Sequence, residues 1–312
     1  MLFRSLEQAI SLYNPQQHRC QAILYGHEER GVTSLSYAAW TLWHLGYGDQ
    51  ALTVSHDALT LADKLVPPFS QAFALSFAAW FHLFRREGDL AREQAQAAID
   101  LSIEQGFPYW LAMGTILHGW ALIEQSQGEE GIMQMRQGLA AYLAGGAELG
   151  RPLFLSLLAE TYGKAGQIDE GLTVLTEALA LVNRTGERSS EAELYRLAGE
   201  LSLQTNEPEN RRAGETEKKK ESPSFADSPI PRFPVSSPEA CFLKAIEVAQ
   251  KQQAKSLELR AVMSLVRLWQ QQGKTTEAHE RLSEIYNWFT EGFNTKDLQE
   301  AKALLEELGK KE

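Results

Sequence analysis

A register of small residues that returns every 40 positions constrains this chain more than any other feature. Ala51, Ala91, Gly131 and Gly171 are 40 apart, and Ala58, Ala98, Gly138 and Ala178 follow each of them by seven. Residues seven apart share one face of an α-helix, and small side chains on that face let a second helix approach closely. The segments open on Gly48, Gly88, Gly128 and Gly166, followed by Asp49, Asp89, Glu129 or Gln167. A glycine at such a corner supplies left-handed backbone to end one helix, and acid in the first turn of the next suits its dipole. A further copy runs from Gly273 with its small residue at Ala278. Apolar, aromatic-rich stretches at 35–46 and 73–88 lie between these segments. The unit is therefore helix A, tight turn, helix B.

A period near 40 exceeds the ~34 residues of a tetratricopeptide repeat and approaches the ~40–47 of other helical arrays. The expectation is an all-α, tetratricopeptide-like right-handed superhelix, an α-solenoid of about six to seven helix pairs. No sustained period-two alternation marks a strand.

The register breaks once. From Thr205 to Pro238 the chain carries Pro208, Pro223, Pro229, Pro231, Pro234 and Pro238, with abundant Ser and charge and few aliphatic residues. Such a stretch buries too little surface to offset its ordering entropy. The step from Gly171 to Ala240 equals one repeat plus about 29 residues, which reads as an insertion inside a repeat rather than a linker between domains. The organisation expected is 1–204 helical repeats, 205–237 a disordered insertion, and 238–312 the last repeats with a charged C-terminal capping helix. The insertion is either a docking or phosphorylation segment, with Ser222, Ser228 and Ser237 each before proline, or a surface insertion without a role. Leu6, Ala9, Ile10 and Tyr13 give 2–13 the spacing of a B helix, so the repeats are expected to begin in mid-unit with an open N-terminal end.

Forty-one acidic against 30 basic residues give a formal charge of −11. That sign disfavours nucleic acid and anionic membrane as partners. Cys20 and Cys241 form no disulfide framework or metal-ligand spacing, no apolar run approaches the ~18 residues of a membrane span, and the expectation is a cytoplasmic protein. Gly273, Lys274 and Thr275 imitate a phosphate-binding loop, but Leu268 stands where its upstream glycine belongs, so the segment reads as a helix corner. No catalytic, cofactor-binding or metal-ligating set emerges. The histidines give no zinc spacing. His44, His82 and His118 fall on three successive A helices, either as a column down one groove or as three separate interfacial side chains.

The aromatic residues are the candidates for binding. Trp40, Trp43, Tyr47, Phe73, Phe77, Trp80, Phe81, Phe84, Tyr109, Trp110 and Trp120 concentrate in the first three repeats. A helices line the concave face of such a superhelix, where aromatic side chains anchor peptides or small ligands well. Trp40, Trp43, Tyr47, Trp80, Phe84, Tyr109, Trp110 and Trp120 form the candidate groove set, against the alternative that they fill the core opposite the small residues.

Residues 106–152, 157–172, 185–201, 254–274 and 285–308, including the stretches GFPYWLAMGTILHGW and TGERSSEAELYRLAGEL, resemble the C-terminal tail of large bacterial signalling proteins. Those proteins join a class III adenylate/guanylate cyclase domain, a P-loop ATPase and a tetratricopeptide-like tail; related tails also occur on ATPases lacking a cyclase. The resemblance implies a module without catalysis of its own, whose protein partner is a cyclase or P-loop ATPase encoded separately or N-terminally. Two readings stand: a protein–protein interaction and regulatory module, and a solenoid that senses a small ligand in an aromatic groove. A dry concave pocket would favour the second, and an open charged groove the first.

Overall fold

The structure is a computed structural model that describes residues 2–12, 30–65, 68–205, 233 and 237–310, and every regular element among them is α-helical. α1 (Leu2–Leu12) packs on α2. Six A/B pairs follow: α2 (Arg30–Leu45) with α3 (Gly48–Leu65), α4 (Pro68–Phe84) with α5 (Gly88–Gln105), and α6 (Pro108–Glu124) with α7 (Gly128–Ala144). Then come α8 (Arg151–Lys164) with α9 (Ile168–Thr185), α10 (Glu191–Thr205) with α11 (Pro238–Gln252), and α12 (Lys255–Gln271) with α13 (Thr275–Tyr286). α14 (Lys296–Leu308) closes the order. The all-α solenoid of paired helices stands as the sequence indicated.

The small residues do what their spacing suggests. A Cβ on Gly131 would lie 2.4 Å from Ile123 Cγ1 and 2.6 Å from the Gly119 carbonyl, and one on Gly138 would lie 2.8 Å from Ile116 Cγ1. Backbone thus meets backbone between α6 and α7.

At three of the four corners the turn chemistry differs from expectation by two residues, and at Gly166 it agrees. The left-handed position falls at Gly46, Arg86, Ser126 and Gly166 (φ +96°, +60°, +66° and +74°), again 40 apart. Gly48, Gly88 and Gly128 instead begin the B helices. Each corner is sealed by the same bond: Tyr47, Glu87, Gln127 and Gln167 N–H donate to the carbonyls of Leu42, His82, Leu122 and Tyr162 at 2.8–2.9 Å. This Schellman closure satisfies the last carbonyls of each A helix and needs the left-handed residue before the donor, whatever its side chain. Gly273 (φ +80°) ends α12 in the same way, with the Lys274 N–H on the Trp269 carbonyl, so the phosphate-loop look-alike is a helix corner. The register across the insertion also shifts by one. Cys241, fully buried three residues into α11, occupies the place of Gly171 three residues into α9, whereas Ala240 is only half-buried. Ser237 starts α11, its Oγ accepting the Ala240 N–H at 3.2 Å. Most of the insertion at 205–237 lies outside the described residues; Phe233, within it, packs edge-on against Tyr195 with ring centroids 5.5 Å apart.

The solenoid closes on itself. α2, α4, α6, α8, α10 and α12 touch in succession, and α12 touches α2, so the six A helices form a ring with the B helices outside. Ser256 Oγ donates to the Trp43 carbonyl at 2.6 Å, and Arg260 donates to the Phe84 carbonyl at 2.5 Å while lying over the Trp43 ring. The segment after α13 grips the start of α3: Glu291 accepts the Asp49 and Gln50 N–H groups at 3.1 Å, and Asp49 accepts the Gly292 N–H at 3.0 Å. Asp297, at the start of α14, bridges Arg86 (3.1 Å) and Arg260 (2.7 Å). The sequence leaves a concave pocket and an open charged groove as alternatives. The curvature accumulated over six pairs brings α12 against α2.

Two outcomes follow from these contacts. Ser126→Gly should raise unfolding free energy by about 1 kcal/mol by relieving left-handed backbone at a side-chain-bearing residue, and Gly166→Ala should lower it by about as much, both measured by urea denaturation. Asp297→Ala, which strips two arginines of their shared buried carboxylate, should cost about 3 kcal/mol and enlarge the radius of gyration in solution scattering as the ring loosens.

Candidate ligand chamber

Ring closure turns the concave face into a chamber of about 560 Å³ to which every A helix contributes. The early and the late A helices give the chamber two chemically distinct sides.

The first three A helices supply an aromatic wall. Trp40 stacks on Phe77 (centroids 4.2 Å, 8°), Phe77 stacks on Phe73 (4.1 Å, 14°), and Trp110 stands edge-on to Phe73 (5.3 Å). Trp80 leans on Trp40 at 4.3 Å and on Phe154 of α8 at 5.0 Å. Aromatic stacking on this scale arises because A-helix positions three and four apart lie on one face and meet the same positions of the next repeat. Trp40 Nε1 donates to the Phe77 carbonyl at 3.2 Å, whereas the ring N–H groups of Trp80 and Trp110 find no acceptor among the described residues. A buried donor left unpaired costs about 1–3 kcal/mol, so this wall is not built for stability alone.

Helices α10 and α12, together with the C-terminal ends of α4, α6 and α8, carry an ionic belt. Arg196 binds Glu193 and Glu200, each at 2.5 Å, and Ser264 Oγ donates to Glu200 at 2.8 Å. Burial pushes the Glu193 carboxyl up, but Arg196 outweighs it and holds the group below the usual carboxylate range. Arg86 pairs with Asp297 and Glu300, and Lys164 with Glu124 at 2.6 Å. The first turn of α14 therefore ties the C-terminal ends of several A helices together.

Glu187 is the exception. It lies in the loop between α9 and α10 and lines the chamber, where both its oxygens face the Gly150 N–H (3.0 and 3.3 Å). Gly150 itself packs on Trp80, since a Cβ there would fall 2.5 Å from the indole Cη2. No cation pairs with Glu187 among the described residues, and burial raises its pKa, partly offset by the Gly150 bond.

Of the aromatic groove candidates, Trp40, Trp80, Phe84, Tyr109, Trp110 and Trp120 line the chamber. Trp43 and Tyr47 do not. Trp43 stacks on Phe84 (4.8 Å) beneath Arg260, and Tyr47 packs toward Trp288 (5.9 Å), so both serve the ring closure. The lining residues Trp80, Trp110 and Trp120 are themselves buried. The three histidines form no column. His44 lines the chamber, His82 pairs with Glu87 at 2.7 Å, and His118 bonds Gln134 at 2.8 Å between α6 and α7. Sequence reading missed Glu187, Arg196, Arg260 and Asp297, which carry no motif; the nearest signal was the density of charge at A-helix ends.

His44 donates Nδ1–H to the Trp40 carbonyl at 2.9 Å, and burial, with Arg260 nearby, lowers its pKa from 6.5 to about 4. The folded state binds this proton less readily than the unfolded chain, so the contribution is full above pH 6.5 and is lost as pH falls toward 4. At pH 5 the wild type should lose on the order of 1–2 kcal/mol relative to pH 7.5, and His44→Asn should lose less, by urea denaturation at both pH values.

No family model matches this chain. An uncharacterized protein of Rhizobium meliloti (strain 1021) is 22% identical over 203 residues, which cover 65% of this chain and 20% of that protein's length. The chain thus spans about a fifth of the curated relative it matches. Among solved structures, the TPR2AB domain of yeast Sti1 in complex with pHSP90 aligns over 89% of this chain and 98% of its own, at 12% identity and a TM-score of 0.31.

Proposed function

We propose that this chain is a non-catalytic binding module that takes a small molecule into the chamber of its helical ring. The observation that carries this reading is the closure of α12 onto α2, which makes the concave face a walled cavity. Its volume of about 560 Å³ falls in the ~300–1,000 Å³ span of small-ligand sites, and its lining combines aromatic area with a few placed polar groups. A molecule touching A helices from both ends of the chain would stabilise the closed ring by mass action, so occupancy and closure are coupled.

A second reading is supported by a separate observation. In the Rhizobium relative, the matching region is one part of a much longer chain, as befits a regulatory module. Together with the resemblance to cyclase–ATPase tails, this supports contact between the outer surface of the ring and a cyclase or P-loop ATPase in the cytoplasm. Under that reading the closed or open state of the ring is what the partner detects. The two readings are compatible, with the ligand as input and the partner as output.

Native mass spectrometry of the chain purified from its own cells, before and after denaturation, tests the first reading. The expected result is a released molecule of a few hundred daltons that raises the unfolding midpoint when added back and binds at least tenfold more weakly to Trp40→Leu. A folded sample that carries no such molecule, and whose midpoint no member of a metabolite library shifts, would remove the small-molecule reading and leave the partner one.

A further inference from the structure

We infer that the chamber selects an organic cation, an amine or quaternary ammonium group, held by Glu187 against the aromatic wall. This deepens the small-molecule reading and rests on it. The first support is charge. Seven carboxylates and four guanidinium groups line the chamber, so it favours positive over negative charge.

The second support is pairing. Arg196 is clamped by Glu193 and Glu200, Arg86 by Asp297 and Glu300, and Arg260 by Asp297 and the Phe84 carbonyl. The fourth, Arg267, pairs with Glu300 at 3.3 Å, so an incoming anion would have to displace a carboxylate from one of these arginines. An incoming cation meets no such barrier at Glu187. Its two oxygens share one backbone N–H, which leaves most of their acceptor capacity unused.

The third support is the surroundings. Glu187 is placed at Gly150, and Gly150 lies directly on the Trp80 ring, which continues through Trp40 to Phe77. Aromatic faces attract a desolvated cation, and a carboxylate beside them supplies the opposite charge. The desolvation that raises the Glu187 pKa is relieved when a cation takes its place beside the carboxylate. The Glu187–Gly150 bond also has a plain structural role in tying two loops, and the experiment separates that role from binding.

Three probes of matched shape test the inference on the full chain: benzyltrimethylammonium, its uncharged carbon isostere neopentylbenzene, and phenylacetate. Binding is read by quenching of the chamber tryptophans and by calorimetry. Benzyltrimethylammonium should bind saturably, at least tenfold more tightly than neopentylbenzene, with phenylacetate weaker still. Glu187→Gln keeps an oxygen for the Gly150 N–H and should reduce cation binding at least tenfold while leaving neopentylbenzene and the unfolding midpoint unchanged. Glu187→Asp, which keeps the charge, should retain part of the affinity. Equal binding of cation and isostere, preference for phenylacetate, or indifference to Glu187→Gln would overturn the cation inference while leaving a small-molecule chamber in place. If none of the probes binds, the cation inference also falls; the chamber reading is then decided by the native mass spectrometry of the purified chain.

Discussion

Closure of α12 onto α2 is the contact on which the rest of this structure depends. Each repeat buries its apolar face against its neighbours only, so a solenoid ordinarily has two ends and an open concave side. Here Ser256 reaches the Trp43 carbonyl, Arg260 the Phe84 carbonyl, and Asp297 joins Arg86 to Arg260. Apart from the Asp297–Arg260 pair, these bonds link residues 176 to 213 positions apart in sequence. They are largely buried, so their strength comes from low local dielectric, and so does the cost of breaking any one partner away. Closure also replaces the nearest-neighbour logic of an open array with a cooperative ring, in which the first and last repeats stabilise each other.

The order of the A helices around the ring gives the chamber its polarity. The first three A helices contribute Trp40, Phe73, Phe77, Trp80 and Trp110, whereas α10 and α12 contribute Glu193, Arg196, Glu200 and Arg260. Arg86, just beyond the C-terminus of α4, is favoured by the helix dipole as well as by the carboxylates it pairs with. The aromatic side therefore offers apolar contact and the other side fixed charge, a division suited to a ligand with one flat or apolar portion. Glu187 departs from the division as a half-buried carboxylate that accepts the Gly150 N–H beside Trp80 and has no cation partner among the described residues.

The positions where sequence reading and structure part company share a physical cause. Gly131 and Gly138 were legible because close helix approach admits only small side chains, whatever lies elsewhere. The left-handed corner was misplaced because Arg86 and Ser126 adopt it without glycine, so glycine was not the marker of the turn. Trp43 and Tyr47 looked like groove residues because they share the helix face of Trp40. The ends of the chain arrive at that point in space and cover them. The histidine spacing of 38 and 36 residues matched the period nearly but not fully, and that mismatch is enough to turn His82 and His118 away from the chamber that His44 lines.

The amino-acid sequence by itself determined the all-helical repeat, its 40-residue period, the faces on which helices meet and the aromatic character of the concave side. Those properties follow from local periodicity and from sterics between adjacent helices, which a short window of residues specifies. Only the tertiary structure decided that six pairs close into a ring, that the groove becomes a chamber, and that Glu187 remains the carboxylate without a cation. The rotation between neighbouring repeats is small, and its sum over the whole array fixes whether the ends meet. No single window of sequence contains that sum.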